Sequence, residues 1–151
     1  MENIQIRRYC QDDYESVCLA DIPLFNGMGG YVLFRHMSEL FPSLFFVAET
    51  VGSKKIVGYI LGGIHLDNGK KGKIVRIGVS RGYQRMGCGT ELISRIISEM
   101  KKYEITSVHL TVAVDNNPAI SFYKKCGFKK TSEDKKYLYL NTPRYIFEKE
   151  I

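Results

Sequence analysis

The chain has 151 residues, 44% of them hydrophobic and 25% charged, which is the size and composition of one globular domain and excludes disordered, collagen-like and coiled-coil chains. Its longest uninterrupted apolar run, Leu44 to Ala48, is far short of the roughly 18 to 20 residues that cross a bilayer. The N-terminal stretch lacks the apolar core and small-residue cleavage site of a secretory signal, so a cytoplasmic protein with no membrane partner is expected. The net charge of +6 suits a nucleic acid, an acidic surface or a small polyanion without choosing among them. The cysteines Cys10, Cys18, Cys88 and Cys126 show neither C-x-x-C nor zinc-like spacing and read as free thiols, with no metal implied.

Taken in chain order, strands alternate with helices. Ile4, Ile6 and Arg8 lie on a short alternating strand, after which Asp12 or Asp13 can cap a helix carrying Tyr14, Val17 and Cys18. Residues 21–30 hold a proline and three glycines and read as a loop, followed by a helix through Val32, Leu33, His36, Met37 and Leu40. Three strands follow, Leu44 to Thr50, Ile56 to Leu66 and Lys73 to Ser80, as an antiparallel meander, with Asn68-Gly69 suited to the last hairpin turn and Gly62-Gly63 to a bulge. Leu92, Ile93, Ile96, Ile97 and Met100 recur at helical spacing, and Val108, Leu110, Val112 and Val114 then alternate as a strand. A short helix comes next, with Asn117 as N-cap, Pro118 at its first position and Gly127 closing it in the left-handed conformation. The tail reads as strands at Phe128 to Thr131 and Lys136 to Asn141, with a third at Tyr145 to Glu148.

The stretch Ile77 to Thr90, IGVSRGYQRMGCGT, runs a strand through a glycine-rich turn directly into the strong helix. Unpaired N–H groups and the positive dipole end of such a helix attract anions, and Gly87 and Gly89 let one approach the backbone. Arg81 and Arg85 add charge, so the loop suits a pyrophosphate without a metal. It is not a nucleoside triphosphate P-loop, having no G-x-x-x-x-G-K-[ST], and it lacks the third glycine of the dinucleotide fingerprint. Glycines serving only a tight turn remain the plainer alternative.

A second stretch, Asn116 to Phe128 (NNPAISFYKKCGF), begins 27 residues after Gly89. QRMGCG (Gln84 to Gly89) followed by N-x-x-A-x-x-x-Y-x-x-x-G-F resembles the GNAT superfamily of acetyl-CoA-dependent N-acetyltransferases, and the order of elements agrees over nearly the whole chain. The resemblance implies a single α/β domain over residues 1–151, with a mixed, mainly antiparallel central sheet flanked by helices and splayed between its fourth and fifth strands. It implies acetyl-CoA as co-substrate. Gln84 opens the pyrophosphate motif, and the backbone amides of Arg85, Met86, Gly87, Cys88, Gly89 and Thr90 face the anion. Ile77, Gly78 and Val79 offer backbone to the pantetheine amides, Asn116 touches the cofactor or shapes the cleft, and Tyr123 lies beside the thioester sulfur as general acid. A tyrosine, protonated at neutral pH, is chemically suited to donate to a departing thiolate.

The acceptor and the general base are less legible. The strand Ile74 to Val79 carries no carboxylate, leaving Glu49, His65, Tyr139 or a water chain as base candidates. Protein N-terminal acetyltransferases often carry a Glu and a basic residue where this chain has Thr111 and Ala113, while Tyr137 and Tyr139 would suit peptide contacts. A small-molecule amine and a peptide amine both stay open, with Phe25, Tyr31 and glycine loop 27–30 as a candidate acceptor wall. Cys88 reads as a small side chain in the loop, with a reactive thiol sensor as the alternative. The basic residues are dispersed and no nucleic-acid recognition motif is present. The missing base also keeps open a non-catalytic acyl-CoA-binding regulatory module, and the family's dimers leave a homodimer open.

Overall fold

The structure, a computed structural model, describes residues 2–137 and 142–151. Seven strands form one sheet: β1 (Ile4–Arg8), β2 (Phe45–Thr50), β3 (Ile56–Ile64), β4 (Lys71–Val79), β5 (Ser107–Ala113), β6 (Lys129–Asp134) and β7 (Arg144–Glu150), in the order β1-β2-β3-β4-β5-β7-β6. All neighbours pair antiparallel except β4 and β5, which are parallel and joined by a crossover helix. Four helices flank the sheet: α1 (Tyr14–Phe25), α2 (Gly30–Leu40), α3 (Cys88–Lys101) and α4 (Asn117–Lys125).

Alternation along the strands divides the apolar side chains between two faces. On one face, Leu92, Ile96 and Met100 of α3 are fully buried against Phe46, Ile60, Val108 and Leu110, at about 1.5 to 3 kcal/mol for each such aliphatic side chain. Gly62 permits this contact: a Cβ there would come within 2.9 Å of both Ile96 and Met100. On the other face, Val17 of α1 and Phe34 of α2 pack on Phe45, Val47, Tyr59 and Leu61. Among the described residues no helix is long and apolar enough to cross a membrane.

The expected meander is present, and the β3–β4 register shifts next to Gly62: Leu61 pairs with Arg76 but Gly62 with Ile74. The extra residue is Val75, on the strand opposite the glycines. Because of it, Val75 and Arg76 both turn toward the α1–α2 face, while Ile74 and Ile77 face α3.

Three expectations change. The loop expected at 21–30 is helical as far as Phe25, with Pro23 inside α1, and the chain turns only at Asn26 in the left-handed conformation (φ 52°). The buried Asp21 carboxylate, held by Tyr59 and Arg76, fixes that last turn against the sheet. Second, Asp13 occupies the N-cap position of α1 without capping it, because its carboxylate receives the Arg7 guanidinium at 2.8 Å through both oxygens. Third, the tail has a longer β6 and β7, with Lys135 and Lys136 in the turn after Asp134. The rest of the strand expected at Lys136 to Asn141 falls, from Leu138 and including Tyr139, outside the described residues.

Candidate active site

β4 and β5 pair only at Lys71 with Ser107, Gly72 with Val108 and Lys73 with His109, and beyond Lys73 the two strands separate. On the β4 arm, the Ser80 N–H donates to the Val57 carbonyl, so the antiparallel alternation directs the Gly78 backbone at β3 and those of Ile77 and Val79 into the opening. The Val79 carbonyl is met there by Gln84 Nε2 at 2.8 Å. Of the three residues expected to pair with pantetheine, two therefore present backbone. Gly78 is glycine because the Tyr59 ring lies over it, and a Cβ would come within 2.7 Å of that ring.

β4 then leads through a short 3-10 turn at Arg81–Tyr83 into the loop before α3. Arg85 (φ 62°) and Gly87 (φ 86°) are left-handed, and this alternation turns successive N–H groups toward one side. From Arg85 through Thr90, no backbone N–H finds a partner among the described residues, and the first N–H bonded in this region is that of Glu91, to Gly87. An array of unpartnered donors at the positive end of a 14-residue helix is built for an anion. Arg85, Met86, Gly87 and Thr90 are exposed around it.

The two glycines do different things. No atom lies within 4 Å of a Cβ at Gly87, where the requirement is the positive φ. Gly89 sits in the first turn of α3 under the Phe122 ring, which a Cβ would approach to 3.0 Å. This close approach seats α4 against the start of α3. Cys88 is buried beside Gly58, and burial, with the charge of Glu91, pushes its thiol up to about 11. The helix end does not activate it, so the sensor alternative has no support.

On the β5 side, Asn116 rather than Asn117 is the N-cap of α4, its Oδ1 accepting from Ala119 N at 3.3 Å. Pro118 is therefore the second helical residue rather than the first, still within the turn whose N–H groups need no partner, and Gly127 (φ 87°) follows the helix end as expected. Tyr123 projects from α4 with its ring edge-on to Phe128, centroids 6.2 Å apart. Its hydroxyl has no hydrogen-bond partner among the described residues. Burial raises the phenol to about 12 against a smaller opposing effect from Arg144, so it holds its proton throughout the neutral range.

The base candidates are dispersed. Glu49 is on β2, two strands from the opening, bonded to Arg7 and Gln5, which hold its carboxyl below the usual range. His65 follows β3 and its Nε2 is 2.6 Å from His109 Nε2 at the base of the opening. Burial, followed by the charges of Lys71 and Lys73, lowers His109 to about 4. Tyr139 lies outside the described residues.

Several polar contacts near the opening were not expected from the sequence, and Arg76, Lys73 and Arg144 were not singled out there. Arg76 bonds Asp21 through both oxygens, donates to the Met28 carbonyl at 3.0 Å and stacks on Phe25, which ties the expected acceptor wall to β4. Tyr31 is exposed, and its carbonyl accepts from the Tyr14 hydroxyl. Lys73 reaches the Tyr137 hydroxyl, and Arg144 reaches Thr111. The lone arginine within Ile74 to Val79 was the available signal for the first of these; the others join residues too far apart in sequence for any local pattern.

The sequence profile of the Acetyltransferase (GNAT) family matches residues 12–128. An N-alpha-acetyltransferase of Sulfurisphaera tokodaii is 39% identical over 109 residues, covering 66% of this chain and 64% of that protein. An N-alpha-acetyltransferase of Sulfolobus acidocaldarius is 34% identical over 117 residues, covering 71% and 68%. The chain thus aligns with about two thirds of the length of these curated relatives. The crystal structure of Ard1 from Thermoplasma volcanium superposes with a TM-score of 0.88 at 27% identity, covering 98% of this chain and 97% of that one. With the profile spanning both the glycine-rich loop before α3 and the Asn116 to Phe128 segment, the chain belongs to the acetyltransferase (GNAT) family.

Proposed function

We propose that this protein transfers the acetyl group of acetyl-CoA to the α-amino group of a peptide or protein, by direct attack in a ternary complex. The observation that carries the co-substrate is the run of six N–H groups from Arg85 to Thr90, unpartnered among the described residues, beside the open arm of β4. The pyrophosphate fits this array, and pantetheine amides fit the backbone that Ile77 and Val79 turn toward the opening, where the Val79 carbonyl already accepts from Gln84. Acetyl-CoA supplies the activated acyl thioester, and the chain's residues orient it and manage protons. Tyr123, protonated and without another partner among the described residues, donates to the sulfur as it leaves. Asn116 shapes the rim by holding the first turn of α4.

An α-amino acceptor is supported by the curated relatives, named N-alpha-acetyltransferases, and by the chemistry of the opening. Glu49 is committed to Arg7, and the His65–His109 pair holds at the base of the opening a ring whose proton affinity is low. An α-amino group, with a reference pKa near 8 against about 10.4 for lysine, has a neutral fraction larger by a factor on the order of 10² at neutral pH and can lose its proton to water.

The test is thiol release from acetyl-CoA with paired peptides, one with a free N-terminus and no lysine, the other N-terminally blocked with one internal lysine. Turnover of the first alone supports the reading. Turnover of the blocked peptide alone overturns the α-amine assignment, and tight acetyl-CoA binding without turnover of any amine would favour the acyl-CoA-binding module.

A further inference from the structure

The opening carries positive charge, on Lys73 and Arg144, that no carboxylate among the described residues neutralises. Lys73 is the last residue of β4 paired with β5, and its Nζ donates to the Tyr137 hydroxyl at 2.5 Å. Across the opening, the Ile151 N–H donates to the Thr106 carbonyl, so alternation directs the carbonyls of Thr111 and Ala113 away from β7 and into the gap. Arg144, which starts β7, follows them: its Nε donates to Thr111 Oγ1 at 2.8 Å and its Nη2 to the Thr111 carbonyl at 3.0 Å. Its guanidinium carbon is 5.9 Å from the centroid of the Tyr137 ring. Lys73 and Arg144 therefore converge on one phenol, at the end of the opening toward which a pantetheine chain descending β4 from Val79 would carry its thioester.

The acids around them are engaged elsewhere. Asp21 holds Arg76 and Tyr59, Glu148 is paired with Lys71, and Asp134, opposite Arg144 in the β6–β7 register, accepts from the backbone N–H of Lys136. No ion pair links Lys73 or Arg144 to a carboxylate among the described residues, and Leu138, Tyr139, Leu140 and Asn141 bring none by composition. Two cations held by neutral oxygens in a partly enclosed place leave an electrostatic demand for an anion.

We propose that Lys73 and Arg144 form a carboxylate subsite of the acceptor pocket, so that the preferred substrate carries an acidic side chain adjacent to its N-terminal residue. This rests on the peptide-amine reading above. A carboxylate one residue along from the amine could also be the α-carboxylate of a dipeptide, and the two sources are separated by the choice of peptides.

The experiment compares kcat/KM for amidated peptides identical except for Asp, Asn or Lys at the second position, and for one neutral dipeptide with a free or an amidated C-terminus. The subsite predicts Asp over Asn by about tenfold or more, expressed in KM, with Lys poorest and the preference shrinking as salt rises. A gain restricted to the free dipeptide retains the subsite and assigns it to an α-carboxylate. In Lys73→Met and in Arg144→Met the Asp-to-Asn ratio falls toward one, while Lys73→Arg keeps most of it; acetyl-CoA titration shows that each variant is folded. Turnover with no preference for either kind of carboxylate, or a preference that survives both methionine variants, overturns the subsite and leaves the acetyltransferase reading intact. Failure of every peptide to react overturns the peptide-amine reading itself and the subsite with it.

Discussion

Burial raises the Tyr123 phenol above an ordinary value that already keeps it protonated at neutral pH, and its hydroxyl has no hydrogen-bond partner among the described residues. Tyr123→Phe is expected to lower kcat about a hundredfold while leaving acetyl-CoA affinity within about threefold, as read from steady-state kinetics and calorimetry. With its pKa near 12, loss of the Tyr123 proton produces no falling limb in the rate profile below about pH 11. Gly89 makes a second prediction at this scale. Gly89→Ala drives a methyl into the Phe122 ring and costs about 1 to 3 kcal/mol of stability, and a smaller side chain at Phe122 recovers part of it in a double-mutant cycle. The motif residues were legible because their chemistry is local: a positive φ before a helix, a capped short helix, a phenol one turn from Ala119. Gly89 was legible as a position but not as a cause, since its partner Phe122 is 33 residues away.

At the scale of elements, α1 shows how a long-range anchor overrides local punctuation. Pro23 and the glycines that follow signal a loop, yet the buried pair of Asp21 with Arg76 keeps the helix intact through Phe25. Arg76 reaches α1 only because the β4 bulge at Val75 turns it to that face. Arg76→Met leaves the Asp21 carboxylate, 1% exposed, without its cation. It should destabilise the protein by about 3 to 5 kcal/mol in urea unfolding, whereas Arg76→Met with Asp21→Leu should be closer to the parent. If the single variant unfolds at the parental midpoint, the pair does not fix α1. The sequence pattern located the bulge by its glycines; that the extra residue belongs to β4 follows only from the register.

For the whole molecule, periods of two and 3.6 residues made the strands and amphipathic helices legible and the Asn68-Gly69 turn pointed to the meander, whereas the mainly antiparallel order of the whole sheet came from the family resemblance, since a period of two does not record strand direction. The gathering of Lys73, Thr111, Tyr137 and Arg144 was not, because the parallel β4–β5 junction and the returning β7 create it. The charge pattern also sets the acid limit of stability. His109 in the folded state titrates near 4, below its ordinary 6.5, so the unfolded chain takes up that proton first and stability declines as pH falls between those values. Asp13 and Glu49 are held below the usual carboxylate range, so their contribution is present above about pH 4 and is lost only on further acidification. His109→Asn should flatten the upper part of that decline in thermal melts between pH 7 and 4.5 and leave the lower part.

The central claim is that the left-handed turn at Gly87 builds an anion cradle for acetyl-CoA at the mouth of the β4–β5 opening. Calorimetric titration of the parent and of Gly87→Val with acetyl-CoA tests it most directly, because a Cβ at Gly87 meets no atom within 4 Å while a β-branched residue resists the φ of 86°. Saturable binding by the parent, weakened about tenfold or more in a folded Gly87→Val, is the predicted result. Equal affinity in the two proteins, or no binding by the folded parent, would contradict it.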